Sequence, residues 1–147
     1  MNYILIDCIK VQNANAVAGL TWGFPAITHF LGFAHNLARK LSRTELQDIS
    51  LTGCAVVCHD HKVHTYGAPY DTQFTQSRNP ASLKKDVTKL VGEGKTPSVI
   101  EEGKMNMTLS LIIGCNGNLG NRNGRLLDWV KKQCMLQRLA GGTVLSI

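Results

Sequence analysis

Lys104 to Ile113 carries the clearest alternation in the chain: Met105, Met107, Leu109, Leu111 and Ile113 are apolar, and Lys104, Asn106, Thr108 and Ser110 between them are polar. A period of two predicts a strand with one wet face. Tyr3 to Val11 is apolar and β-branched without a breaker, which predicts a central strand buried largely on both faces. A third strand is expected from Ile49 to about His64, with Cys54 to Cys58 apolar and His59, His61 and Lys62 at its fraying end. Thr143 to Ile147 predicts a fourth. Helical spacing appears twice. Ile27, Phe30, Leu31, Ala34, Leu37, Ala38 and Leu41 form one stripe, started near Pro25, and Arg39, Lys40 and Arg43 near its end complement the helix dipole. Leu126, Leu127, Val130 and Cys134 mark the inner face of a second helix, from Arg125 to about Gln137.

This order predicts an α+β, ferredoxin-like (RRM-like) βαββαβ domain spanning 1–147, with both helices on one face of a four-stranded antiparallel sheet and the other face free. RNA-recognition modules use such a free face and its edge loops. Between strands 2 and 3 lies a long irregular insertion, about 66–100, punctuated by Pro69, Pro80 and Pro97, in which Ser82 to Val91 is expected to form a short helix capped by Ser82. Polar, aromatic and Gly/Pro-marked stretches, Gln12 to Ala16 and Thr21 to Pro25, read as a turn between the first strand and helix, where a small α/β module presents binding groups.

Charge adds a direction. Sixteen Lys+Arg against ten Asp+Glu give a net charge of +6, which favours an anionic partner, nucleic acid first. Arg78, Lys84, Lys85, Lys89 and Lys95 fall in the insertion, so that arm is suited to lie along a phosphate backbone while Tyr66, Tyr70 and Phe74 stack on bases. Apolar runs are too short to cross a bilayer and the first residues lack a basic leader, so a cytoplasmic protein is expected. Five scattered cysteines, Cys8, Cys54, Cys58, Cys115 and Cys134, suit buried free thiols in a reducing compartment.

Other chemistry is weaker. Gly92 to Thr96 imitates a phosphate loop, but the first glycine of that motif would fall at Lys89. Gly114, Gly117, Gly120 and Gly124 lack dinucleotide-binding spacing. Cys54, Cys58, His59, His61 and His64 contain no C-x-x-C pair, and strand alternation puts the two thiols on one face and His59 and His61 on the other, so no metal site is expected. Glu101 and Glu102 alternate and do not converge. His29, early in the first helix, could act as a general base on an RNA 2′-hydroxyl, but no second acid–base residue is placed beside it.

Val11 to Ala16, Thr21 to Pro25, Ser77 to Pro80, Ile100 to Gly103 and Arg138 to Gly142 together resemble, in order and in register, the second Csy subunit family of type I-F CRISPR–Cas surveillance complexes, within the Cas-five group of RAMP proteins. The resemblance implies a non-catalytic subunit without cofactors that holds the 5′ handle of the guide RNA (crRNA), docks the large subunit and a backbone subunit of the Csy (Cascade) complex, and meets target DNA only indirectly. It implies handle or partner contacts at Asn13 and Asn15, an arm or thumb carrying Arg78 and Asn79, and a Gly-rich loop at Gly141 and Gly142 that lets RNA approach the backbone. Trp22, Phe24, Lys84, Lys85 and Arg138 complete the expected RNA-binding set. It also implies that only the N-terminal half of such a protein is present, the C-terminal portion being absent. Two alternatives stay open: a metal-independent RAMP endoribonuclease using His29, and a truncated decoy that occupies the handle or the large subunit and interferes with assembly.

Overall fold

The computed structural model describes residues 2–68, 70–74, 76–78, 99–101 and 103–147. Strand β1 (Asn2–Asn15) leads into a small ladder of β2 (Val17–Ala18) and β3 (Thr21–Trp22), then helix α1 (Ile27–Leu41) and strand β4 (Ser50–Val63). Two further ribbons follow: β5 (Thr65–Ala68) pairs with β6 (Asp71–Phe74), and β7 (Gln76–Arg78) with β8 (Val99–Glu101). Strand β9 (Lys104–Asn116), a 3-10 turn at Gly120–Arg122, helix α2 (Asn123–Met135) and strands β10 (Arg138–Leu139) and β11 (Gly142–Ser146) complete the chain. The main sheet has the order β10-β11-β1-β9-β4, and its neighbours run antiparallel.

The expected ferredoxin-like (RRM-like) four-stranded domain is overturned: the chain is mostly antiparallel strands, forming a curled half-barrel sheet with two helices. Bulges are the physical reason for the curl. Strand β1 gains one residue on β9 between Ile6 and Ile9 and another between Val11 and Ala14. Strand β4 does the same between Thr52 and Cys54 and between Cys58 and Asp60. Each extra residue bends its strand and raises the local twist. Two bulge residues on β1 adopt left-handed backbone, Cys8 at φ 50° and Asn13 at φ 55°. Their N–H groups leave the ladder, and β9 side chains accept them: Cys8 N–H donates to Ser110 Oγ (3.1 Å) and Asn13 N–H to Asn106 Oδ1 (3.1 Å).

The core lies between the helices and one face of this sheet. Met105, Met107, Leu109, Leu111 and Ile113 are all buried there, beside Ile4, Ile6, Ile9 and Val11 of β1. Helix α1 contributes Phe30, Phe33, Ala34, Leu37 and Leu41, and α2 contributes Leu126, Val130 and Cys134. The helical stripe is thus turned toward Phe33, leaving Ile27 and Leu31 exposed, and Leu127 likewise faces out. Gln12 to Asn15 belong to β1 rather than to a turn. The start of the insertion is ribbon rather than irregular chain; the Ser82 to Val91 helix lies outside the described residues. Cys115 and Cys134 are buried thiols, with Cys134 pushed up to about 12 by desolvation, but Cys8 and Cys58 are exposed, contrary to the expectation that all five are buried.

Close packing of backbone explains Gly142. A Cβ on Gly142 would sit 2.7 Å from Gln12 O and 2.8 Å from Ala14 Cα, so β11 approaches the second β1 bulge only without a side chain. Gly142→Ala should therefore lower stability by about 1–3 kcal/mol in urea denaturation. Gly124→Ala, in α2 with nothing within 4 Å, should raise it by about 0.5–1 kcal/mol.

Arg122 ties the β9–α2 connection to the segment before β4, donating Nη1–H to Asp48 Oδ1 (2.8 Å) and Nη2–H to Asp48 Oδ2 (2.6 Å). This hydrogen bonding holds the Asp48 carboxyl below its ordinary value. A carboxyl depressed in the folded state stabilises above its unfolded pKa, about 3.9, and the contribution is lost as pH falls through the folded value. The stability gap between the native protein and Asp48→Asn should therefore be full at pH 7 and close below about pH 4, read as converging urea midpoints.

Candidate nucleic-acid interface

One end of the curled sheet gathers most of the expected RNA-binding residues that the structure describes. Asn15 closes β1 by donating its N–H to Ala140 O (2.8 Å), which fixes the β10–β11 turn beside it. Ala16 N–H donates to Gly103 O (2.9 Å), and Gly23 N–H to Ala16 O (2.7 Å), so the β2–β3 ladder and the approach to β9 join the same corner. Trp22 pairs with Val17 and lies against Gly103, where a Cβ would meet its Cε3 at 2.9 Å.

The members of this corner do different work. Asn13 is exposed, its left-handed backbone anchored by Asn106, so its amide side chain projects from the bulge. Arg138 is exposed and donates Nη1–H to Gly141 O (3.1 Å). Ala140 (φ 50°) and Gly141 (φ 76°) turn the chain back, and Gly141 is exposed. Successive N–H groups in such turns suit anions. Three others are committed to the scaffold. Asn15 accepts Val17 N–H at Oδ1 (3.1 Å) and donates Nδ2–H to Val17 O (3.0 Å). Phe24 stacks on Phe30 at 5.9 Å and meets the edge of His61 at 6.2 Å. Gly142 is buried against β1 rather than open to a backbone-reading ligand. Arg78 lies on β7, in a ribbon separate from the main sheet, and Asn79, Lys84 and Lys85 lie outside the described residues.

His29 is also engaged. Its Nδ1 lies 3.2 Å from Ala26 O and its Nε2 3.4 Å from Asn15 Nδ2, so the tautomer with Nδ1–H satisfies both contacts. A ring held this way positions Asn15.

The bulge between Cys58 and Asp60 separates the histidines differently from simple alternation. His61 pairs with Met107 and turns to the helix face against Phe24, whereas His59 lies on the open face. There, Ser110 Oγ donates to Asp7 Oδ1 (2.6 Å), so its lone pairs accept Cys8 N–H and His59 Nε2–H (2.6 Å). Ser110 is buried at 3% exposure, and its oxygen accepts two hydrogen bonds while its proton goes to Asp7, so the hydroxyl ties β1 to β4 across β9. The Ser110 hydroxyl is also the main cause that holds the Asp7 carboxyl below its ordinary value. This chain joins residues 51 and 103 positions apart, which no local motif could reveal. Further along the same face, a depression of about 290 Å³ is lined by Lys10, Gln12, Asp60, Lys62, Asn106 and Thr108, a mixed-charge surface that the sequence did not single out.

Removing the Asn15 side chain leaves the Val17 N–H without its acceptor. Asn15→Ala should lower stability by about 1–3 kcal/mol in thermal or urea melts, and Asn13→Ala, which keeps a backbone-only anchor to Asn106, should change it less.

Residues 4–147 match the family model for CRISPR-associated protein Csy2. The CRISPR-associated protein Csy2 of Pseudomonas aeruginosa (strain UCBPP-PA14) is 33% identical over 147 residues, covering 97% of this chain and 42% of that relative. The chain therefore spans less than half the length of the curated relative it matches. With the family model matched from within β1 to the last residue, the chain belongs to the Csy2 family of CRISPR-associated proteins.

Proposed function

We propose that this protein is a non-catalytic subunit of a type I-F CRISPR RNA-guided surveillance complex, binding the 5′ handle of the guide RNA and docking the large subunit and a backbone subunit. The family match across residues 4–147 is the observation that carries this reading. The net charge of +6 agrees with a polyanionic partner. On this reading, residues 1–147 act as one RAMP-type domain, with 66–100 as an arm. Asn13, Trp22, Arg138 and Gly141 offer the RNA an amide, a ring, a guanidinium and an open backbone at one corner. Asn15, Phe24 and Gly142 hold that corner in shape. Arg78, Asn79, Lys84 and Lys85 extend the contact along the arm, where Tyr66 and Tyr70 are exposed for stacking. Target sequence is left to base pairing by the guide.

The direct test is binding of labelled guide RNA, with and without its handle, across a salt series and in the presence or absence of the large subunit. Handle-dependent binding with a log–log slope of about −0.7 per phosphate, so about −3 for four contacts, is expected. Arg138→Ala should weaken binding severalfold and reduce the slope by about 0.7. Binding that ignores the handle, with the large subunit still captured, would overturn the handle-holding role in favour of docking alone.

A further inference from the structure

We propose that Asp7, Cys8 and His59 form a binding site for a divalent transition metal of the zinc class, clipping β1 to β4 across β9. Each residue offers one ligand atom, and the three atoms lie within 4.8 Å of one another on the open face of the sheet. A carboxylate oxygen, a thiolate sulfur and an imidazole nitrogen are the donor types that zinc accepts, with a fourth position left to water.

The backbone is what makes this set possible. Neighbouring residues on a regular strand point to opposite faces, so Asp7 and Cys8 could not converge on one ion. The β1 bulge between Ile6 and Ile9, with Cys8 at φ 50°, sets the alternation aside at that point. The β4 bulge between Cys58 and Asp60 brings His59 up from the other side, its Nε2 3.9 Å from Asp7 Oδ1; to ligate through Nε2 the ring carries its proton on Nδ1 and exchanges its hydrogen bond to Ser110 for the metal. A non-glycine residue in left-handed backbone is strained, and such strain concentrates at functional sites. Ser110 supports the arrangement from between the strands: its hydroxyl orients Asp7 and accepts the Cys8 N–H, which are the supporting contacts a metal site needs behind its ligands. The cluster shares only His59 with the cysteines and histidines weighed from the sequence.

The test is titration of the purified, reduced protein with Co²⁺ as a spectroscopic substitute, followed by displacement with Zn²⁺. A 1:1 complex with a thiolate-to-cobalt charge-transfer band is expected, abolished in Cys8→Ser and weakened at least about tenfold in affinity by His59→Ala, with Cys58→Ser unchanged. Should Cys8→Ser fail to fold, X-ray absorption of the Zn²⁺-loaded native protein decides the matter: one sulfur with nitrogen and oxygen neighbours is expected. Absence of the charge-transfer band at equimolar Co²⁺, its persistence in Cys8→Ser, or a sulfur-free zinc shell would overturn the proposal.

Discussion

Strand β9 is the constraint on which the other elements depend. It is paired along almost its whole length on both sides, so β1 and β4 must share its register. Both flanking strands carry more residues than β9 can match, and every surplus residue releases a backbone N–H that needs an acceptor. Asn106 and Ser110 supply acceptors from the middle strand itself. Replacing either by an apolar residue of similar size would preserve the alternation and lose the anchor, which is why polar identity at these two positions matters more than polarity of the face as a whole.

The two faces of the sheet consequently have separate tasks. Toward the helices, the apolar half of β9 meets Phe30, Leu37, Leu126 and Val130, and burial there supplies the cohesion of the domain. Away from them, the sheet presents Tyr3, Leu5, Val57 and Leu145 together with Lys10, Lys62 and the Asp7–Ser110–His59 chain. That face is assembled from four strands far apart in sequence, and the bulges determine which side chains it shows.

Legibility follows the same division. Met105 to Ile113 was readable because alternation is unbroken there, and the helices because Phe30, Ala34, Leu37, Leu126 and Val130 keep their spacing. Most of the curl was not readable: apart from Gly53 in β4, the bulges add a residue with no compositional mark, so His59 and His61 were assigned to a common face and Gln12 to Asn15 to a turn. At the candidate interface, resemblance pointed to Asn13, Asn15, Arg78, Asn79, Gly141 and Gly142; the fold brings Asn13, Asn15, Gly141 and Gly142 to one corner, and Asn79 lies outside the described residues. Resemblance could not say that Asn15 is occupied by Val17, or that Gly142 is a glycine because β1 lies against it. Those roles depend on distances across the sheet.

The chain leaves the sheet after β4 and returns at β9 through a narrow neck: His64 N–H donates to Lys104 O at 2.8 Å, and Gly103 O is held by Ala16 at 2.9 Å. A segment closed at its base transmits little of its own length to what lies beneath, since the entropy of closing a chain grows only logarithmically with the length between its ends, by about 0.6 kcal/mol per doubling. Natural selection can therefore lengthen, shorten or exchange the segment beyond that neck while the register of β9 stays fixed.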